Sequence, residues 1–70
     1  VQDIQKAVGA KIRLYRTRKG WSQDVFADIA GLHRAHIGAI ERGERNITLR
    51  TLKTAADALQ VRVRDLIGDQ

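Results

Sequence analysis

Residues 22 to 46 hold most of the side chains whose chemistry could define a site. Ser22, Gln23, His33, Arg34, His36, Arg42, Arg45 and Asn46 all carry hydrogen-bond donors. An arginine presents a planar fork of donors that matches a phosphate or the paired acceptors of a guanine edge. Covalent chemistry has no comparable support. A serine, histidine or lysine acts as a nucleophile only beside an activating partner, and no such pairing is set out. Ser22 is better explained as a helix cap. His33 and His36 lie three apart with no third ligand placed, so they make a poor metal pair. There is no glycine-rich phosphate loop. The sequence points to recognition by hydrogen bonds, with no catalytic residue, cofactor or metal expected.

These donors must be held by helices. Ser22 is a good N-cap, and a helix is expected from about Gln23 to Ala30. Phe26, Ala27, Ala30 and Leu32 form its apolar set. Gly31 stands where a residue of positive φ would turn the chain. A second helix runs from about Arg34 to Arg42, with Gly43 just past its end. Two short helices joined by a tight turn are the helix-turn-helix pattern, in which the second helix enters the DNA major groove. The free N–H groups and positive dipole end at Gln23 would suit a phosphate. Asp24 weakens that field, so its side chain is expected to turn away. Arg34 opens the second helix. It could donate to guanine O6 and N7, or it could hold a phosphate and carry no sequence information.

Further helices flank this pair. Helix 1 is expected from about Asp3 to Lys19, with Ile4, Val8, Ile12 and Tyr15 inward and Gly20 at its end. Leu14 falls off that stripe, either as a lone exposed leucine or as a contact to another chain. Trp21 stands where a hydrophobic staple packs, and stacking on a base is the alternative. On helix 3, Ile37, Ile40 and Glu41 point one way; Ala35, Gly38, Ala39 and Arg42 point the other. His33 is a weak cap, at a cost of about 1 kcal/mol. Thr48 caps helix 4, about Leu49 to Leu59, with Leu49, Leu52, Ala55, Ala56 and Leu59 as its apolar face. Gln60 occupies a left-handed turn position that usually takes glycine. Helix 5 covers about Val63 to Ile67. Val61, Val63, Leu66 and Ile67 are more apolar groups than so short a surface helix needs. Residues 68 to 70 are expected to fray.

Composition bounds the rest. Seventy residues allow one domain, 1–70, with a small core. Cysteine and proline are absent, which favours an all-α fold without disulfides. Thirteen Lys and Arg against eight Asp and Glu leave a net charge of +5, which suits a polyanion or merely solubility. No apolar run nears the ~20 residues that span a bilayer, and no signal-peptide pattern opens the chain. A cytoplasmic protein is expected. Val1 is not a methionine, which leaves room for residues ahead of it.

The ordered set SQ (22–23), FA (26–27), AGL (30–32), I-x-x-IERG (37–43), RNITL (45–49), LKTAADAL (52–59) and V-x-V-x-DLI (61–67) resembles the phage-repressor (Cro/CI, XRE-type) helix-turn-helix family. The likeness covers roughly residues 8 to 67. The run from Leu32 to Leu49 looks most like the controller proteins of restriction–modification systems. The resemblance implies a five-helix, lambda-repressor-like domain that regulates transcription by binding double-stranded DNA. It makes Gln23 a phosphate contact and places Ala35 and Ala39 where the family reads bases. An alanine there can touch only a thymine methyl. Gly38 either lets the backbone approach the groove or is simply tolerated. Arg42, Arg45 and Asn46 follow helix 3, where the family grips phosphates. By our own reading His33 and His36 contact phosphates, with base reading as the alternative, and Ser22 joins the same DNA-binding set beside its capping role. The family also puts an arginine, here Arg16, beside Glu41; an unpaired inward carboxylate would be very unfavourable. Proline is common at Ile47, so its absence leaves that loop less stiff.

A symmetric homodimer is expected, with Val61, Val63, Leu66 and Ile67 at the interface and recognition helices about 34 Å apart on an inverted-repeat operator. No membrane or small-molecule partner is implied. The alternative is a protein-interaction or antitoxin-like module on the same fold.

Overall fold

The structure, a computed structural model, describes residues 3–68. Residues 69 and 70, expected to fray, lie outside the described residues. Five helices follow in order: α1 (Ile4–Arg18), α2 (Gln23–Ala30), α3 (Arg34–Glu41), α4 (Leu49–Leu59) and α5 (Val63–Ile67). No strand occurs among the described residues. The fold is the all-α five-helix bundle, with each helix end within one residue of its expected place.

Local chemistry explains where the helices start. Asp3 Oδ1 accepts from the backbone N–H of Gln5 at 3.1 Å and of Lys6 at 3.3 Å. Ser22 Oγ accepts from Val25 N, and Thr48 Oγ1 from Thr51 N, both at 3.1 Å. Each such cap stabilises its helix by about 1 kcal/mol. His33 makes no side-chain cap bond, as its imidazole led us to expect. Trp21 packs at the entry to α2, its ring stacked on Phe26 with centroids 6.2 Å apart. These two residues are the staple positions on either side of the Ser22 cap.

The helix exits follow the same logic. Gly20, Gly31 and Gly43 have φ of 74°, 71° and 74°. At Gly31 the turn is a Schellman motif: Leu32 N–H donates to Ala27 O at 2.9 Å and Gly31 N–H to Asp28 O at 3.3 Å. This is the tight turn between α2 and α3. Gln60 makes the equivalent turn after α4 at φ 61° without the freedom of glycine. That left-handed conformation costs about 1 kcal/mol.

Phe26, Ile12, Ile37, Leu59 and Leu66 are the largest fully buried side chains. Val8, Ala27, Ile40, Leu52, Ala55 and Ala56 complete the core. Three expectations need correction. Ile4 and Leu49 share their helices' apolar stripes, yet they are 53% and 82% exposed. Each is the first residue of its helix, and helical side chains lean toward the N-terminus, so both project past the end of the packed layer. Leu66 is wholly buried within the protomer. It belongs to the core and is closed to a second chain, because α5 packs against α1 and α4.

Candidate nucleic-acid interface

A short recognition helix needs a firm back and an open front. The back of α3 is built on Glu41. Arg16 Nε donates to Glu41 Oε2 at 2.7 Å, and Arg16 Nη2 donates to Oε1 at 2.9 Å. The third guanidinium nitrogen, Nη1, donates to the carbonyl of Trp21 at 2.8 Å. Gln23 Nε2 adds a bond to Glu41 Oε1 at 3.1 Å. The two charged side chains are only 10% and 3% exposed. Hydrogen bonding to Glu41 raises the Arg16 pKa above its ordinary value, partly offset by burial, so this guanidinium stays charged wherever the protein is folded. No buried side-chain polar atom is left unpartnered among the described residues. One bidentate pair thus ties α1, the α1–α2 turn, the start of α2 and the end of α3 together.

A second contact at the back was not legible as such. Gly9, buried in α1, faces the end of α3 so closely that a Cβ there would collide with the Ile40 carbonyl oxygen. The Glu41 carbonyl oxygen would lie 2.8 Å from it. The available signal was an isolated glycine inside a helical pattern.

The front is the surface around the α2 and α3 N-termini and the turn after α3. Ser22, His33, Arg34, Ala35, Arg42, Arg45 and Asn46 are exposed, and His36 is half-buried. Ser22 uses a lone pair for its cap bond and keeps its O–H to donate. Backbone N–H groups at the start of α2 have no partner within the helix. Gln23 is half-buried, with its amide directed to Glu41. One of its two N–H donors is therefore engaged, and the other remains.

Two residues expected at the DNA face are not open. Gly38 is buried, and a Cβ on it would lie 3.1 Å from Arg42 Nη1 and 3.6 Å from Gln23 Oε1. The ends of those two long side chains lie over it. Ala39 is 9% exposed, which leaves only a sliver of methyl surface. Asp24 does not turn away; its Oδ1 is 3.3 Å from Arg34 Nε, with both side chains mostly exposed. Arg42 makes a similar exposed pair with Glu44 at 3.1 Å.

Among the described residues, no three His, Cys, Asp or Glu side chains gather as a metal site would require. No helix among them is long and apolar enough to cross a membrane.

Comparison with known proteins agrees with this geometry. Over 68 residues the chain is 44% identical to the control protein C.SmaI of Serratia marcescens, spanning 97% of this chain and 81% of that one. The restriction–modification controller C.AhdI from Aeromonas hydrophila superposes with a TM-score of 0.85 at 39% identity, covering 89% of this chain and 94% of that one. SinR, a master regulator of biofilm formation solved in complex with DNA, superposes with a TM-score of 0.83 at 31% identity, covering 87% and 98%. The helix-turn-helix family model matches residues 12–66, which include the Arg16–Glu41 clamp, the Gly31 turn and all of α2 to α4. On the strength of these matches, the chain belongs to the helix-turn-helix family of DNA-binding transcriptional regulators.

Proposed function

We propose that the chain is a sequence-specific transcriptional regulator of the restriction–modification controller type. It acts in the cytoplasm as a homodimer on an inverted-repeat operator. The observation that carries the reading is the division of α3: its C-terminal end is clamped from behind by Arg16, while its N-terminal end presents Arg34 and Ala35 to solvent. In the bound state α3 lies in the major groove. Arg34 meets a guanine edge, and the Ala35 methyl lies against a thymine methyl. Gln23, the Ser22 hydroxyl and the α2 N-terminus hold one phosphate. His33, His36, Arg42, Arg45 and Asn46 hold the flanking backbone. Gly38 and Ala39 contribute clearance rather than contacts, because both are covered.

The dimer forms through Val61, Val63 and Ile67, which the protomer leaves half-buried. Leu66 supports them from within the core. The reading is supported by relatives that are themselves named as control proteins. Selection of bound sequences from random DNA tests it, together with sedimentation. An inverted repeat with half-sites about one helical turn apart, bound by a dimer, is the expected result. No enriched sequence, or a monomer at tens of micromolar with and without operator, would reject it.

A further inference from the structure

Asp24 carries a negative charge on a surface that the proposed function turns toward a polyanion. At 76% exposure it is not packed into the fold. Its position is supported by the helix: a carboxylate in the first turn of α2 is stabilised by the N-terminal dipole. From there Oδ1 faces Arg34 Nε at 3.3 Å, across the gap between α2 and α3. We infer that Asp24 is a specificity-determining residue, which orients the Arg34 guanidinium and lowers the protein's affinity for DNA of arbitrary sequence. This rests on the regulator reading above and names a residue that sets its selectivity.

The chemistry follows from the shape of a guanidinium. A carboxylate on the Nε side leaves the two Nη groups as a free pair of donors. That edge can span guanine O6 and N7. In water an ion pair between two exposed side chains is weak, so it restrains Arg34 only loosely in the free protein. Once the groove excludes water, the same pair strengthens, and the arginine is held with its forked edge toward the bases. The carboxylate also opposes the alternative use of Arg34. An arginine swinging to a phosphate would leave Asp24 unpaired in the negative field of the backbone. Asp24 thus penalises the posture that carries no sequence information and leaves the base-reading posture intact.

The test uses the selected operator, a panel of single-base variants of it and a DNA of unrelated sequence. Binding of the wild type, Asp24→Asn, Arg34→Ala and the double variant is compared, with circular dichroism as a check on folding. Asp24→Asn should tighten binding to the unrelated DNA several-fold. It should also reduce discrimination at the base pair read by Arg34 by about tenfold. In the Arg34→Ala background the same substitution should leave discrimination at that pair unchanged. Undiminished discrimination in Asp24→Asn overturns the inference, as does an equal fall with Arg34 absent. A chain that selects no sequence removes the regulator reading and this inference together. A chain whose operator is read unchanged by Asp24→Asn removes the inference alone.

Discussion

Helix α3 carries an ion pair at each end, and the two pairs differ in almost every respect. Arg16 and Glu41 meet through two bonds of 2.7 and 2.9 Å, with side chains 10% and 3% exposed. Arg34 and Asp24 meet at 3.3 Å, with side chains 64% and 76% exposed. The first pair has given up its water and is supported by further bonds from Gln23 and to the Trp21 carbonyl. Losing one partner would strand a buried charge. The second has kept its water, so either partner can leave at little cost. The same two functional groups therefore make a fixed joint in one place and an exchangeable contact in the other. A helix of eight residues is too short to be stable alone, so α3 needs the fixed joint, and the proposed function asks in addition for an open N-terminal end.

The comparison breaks first at the joint. Arg16→Ala should cost roughly 3–5 kcal/mol in a urea titration, since it leaves Glu41 buried beside a single amide donor. A loss under about 1 kcal/mol would mean that the pair behaves like a surface contact. Gly9→Ala should cost roughly 1–3 kcal/mol, because the added methyl meets backbone carbonyls rather than a pliable side chain. It should also weaken DNA binding by displacing the end of α3 from α1. Unchanged thermal unfolding would show that α1 shifts freely.

At the open end the order of effects reverses. Arg34→Ala should cost about 1–3 kcal/mol of binding per half-site. Its effect on folding should stay within about 0.5 kcal/mol. Gln23 joins the two regions, so Gln23→Ala should show in both assays. It should lower stability by about 1 kcal/mol through the lost bond to Glu41. It should weaken all operators about equally with little change in salt slope, because the amide is neutral and a phosphate has no base code. If Gln23→Ala alters preference at a single base pair, its side chain reaches the bases.

Much of the joint was legible in the sequence, because it is made of chemistry that allows few solutions. A carboxylate in line with Ile37 and Ile40 demanded a cation, and the family resemblance named Arg16. Ser22 and Thr48 marked helix starts, and Gly20, Gly31 and Gly43 marked exits, since each answers a local backbone requirement. The limits of the core were harder to see. Periodicity assigns Ile4 and Leu49 to a face without saying where the facing layer stops. It cannot separate Leu66, sealed inside, from Val63 and Ile67 beside it. At the open end the sequence named the donors but not their postures. Nothing in it said that Asp24 would face Arg34, or that Gln23 and Arg42 would cover Gly38. Such contacts depend on the angle between α2 and α3, which tertiary packing sets.

Selectivity in the proposed function rests on what Arg34 does at the free end of α3. The most direct measurement is the affinity of wild type and Arg34→Ala for a panel of single-base operator variants at two salt concentrations. Base reading predicts that Arg34→Ala loses its preference at one base pair in each half-site and keeps it elsewhere. A uniform loss across the panel, with a salt slope lowered by about one unit per arginine removed, would make Arg34 a phosphate contact and contradict the account.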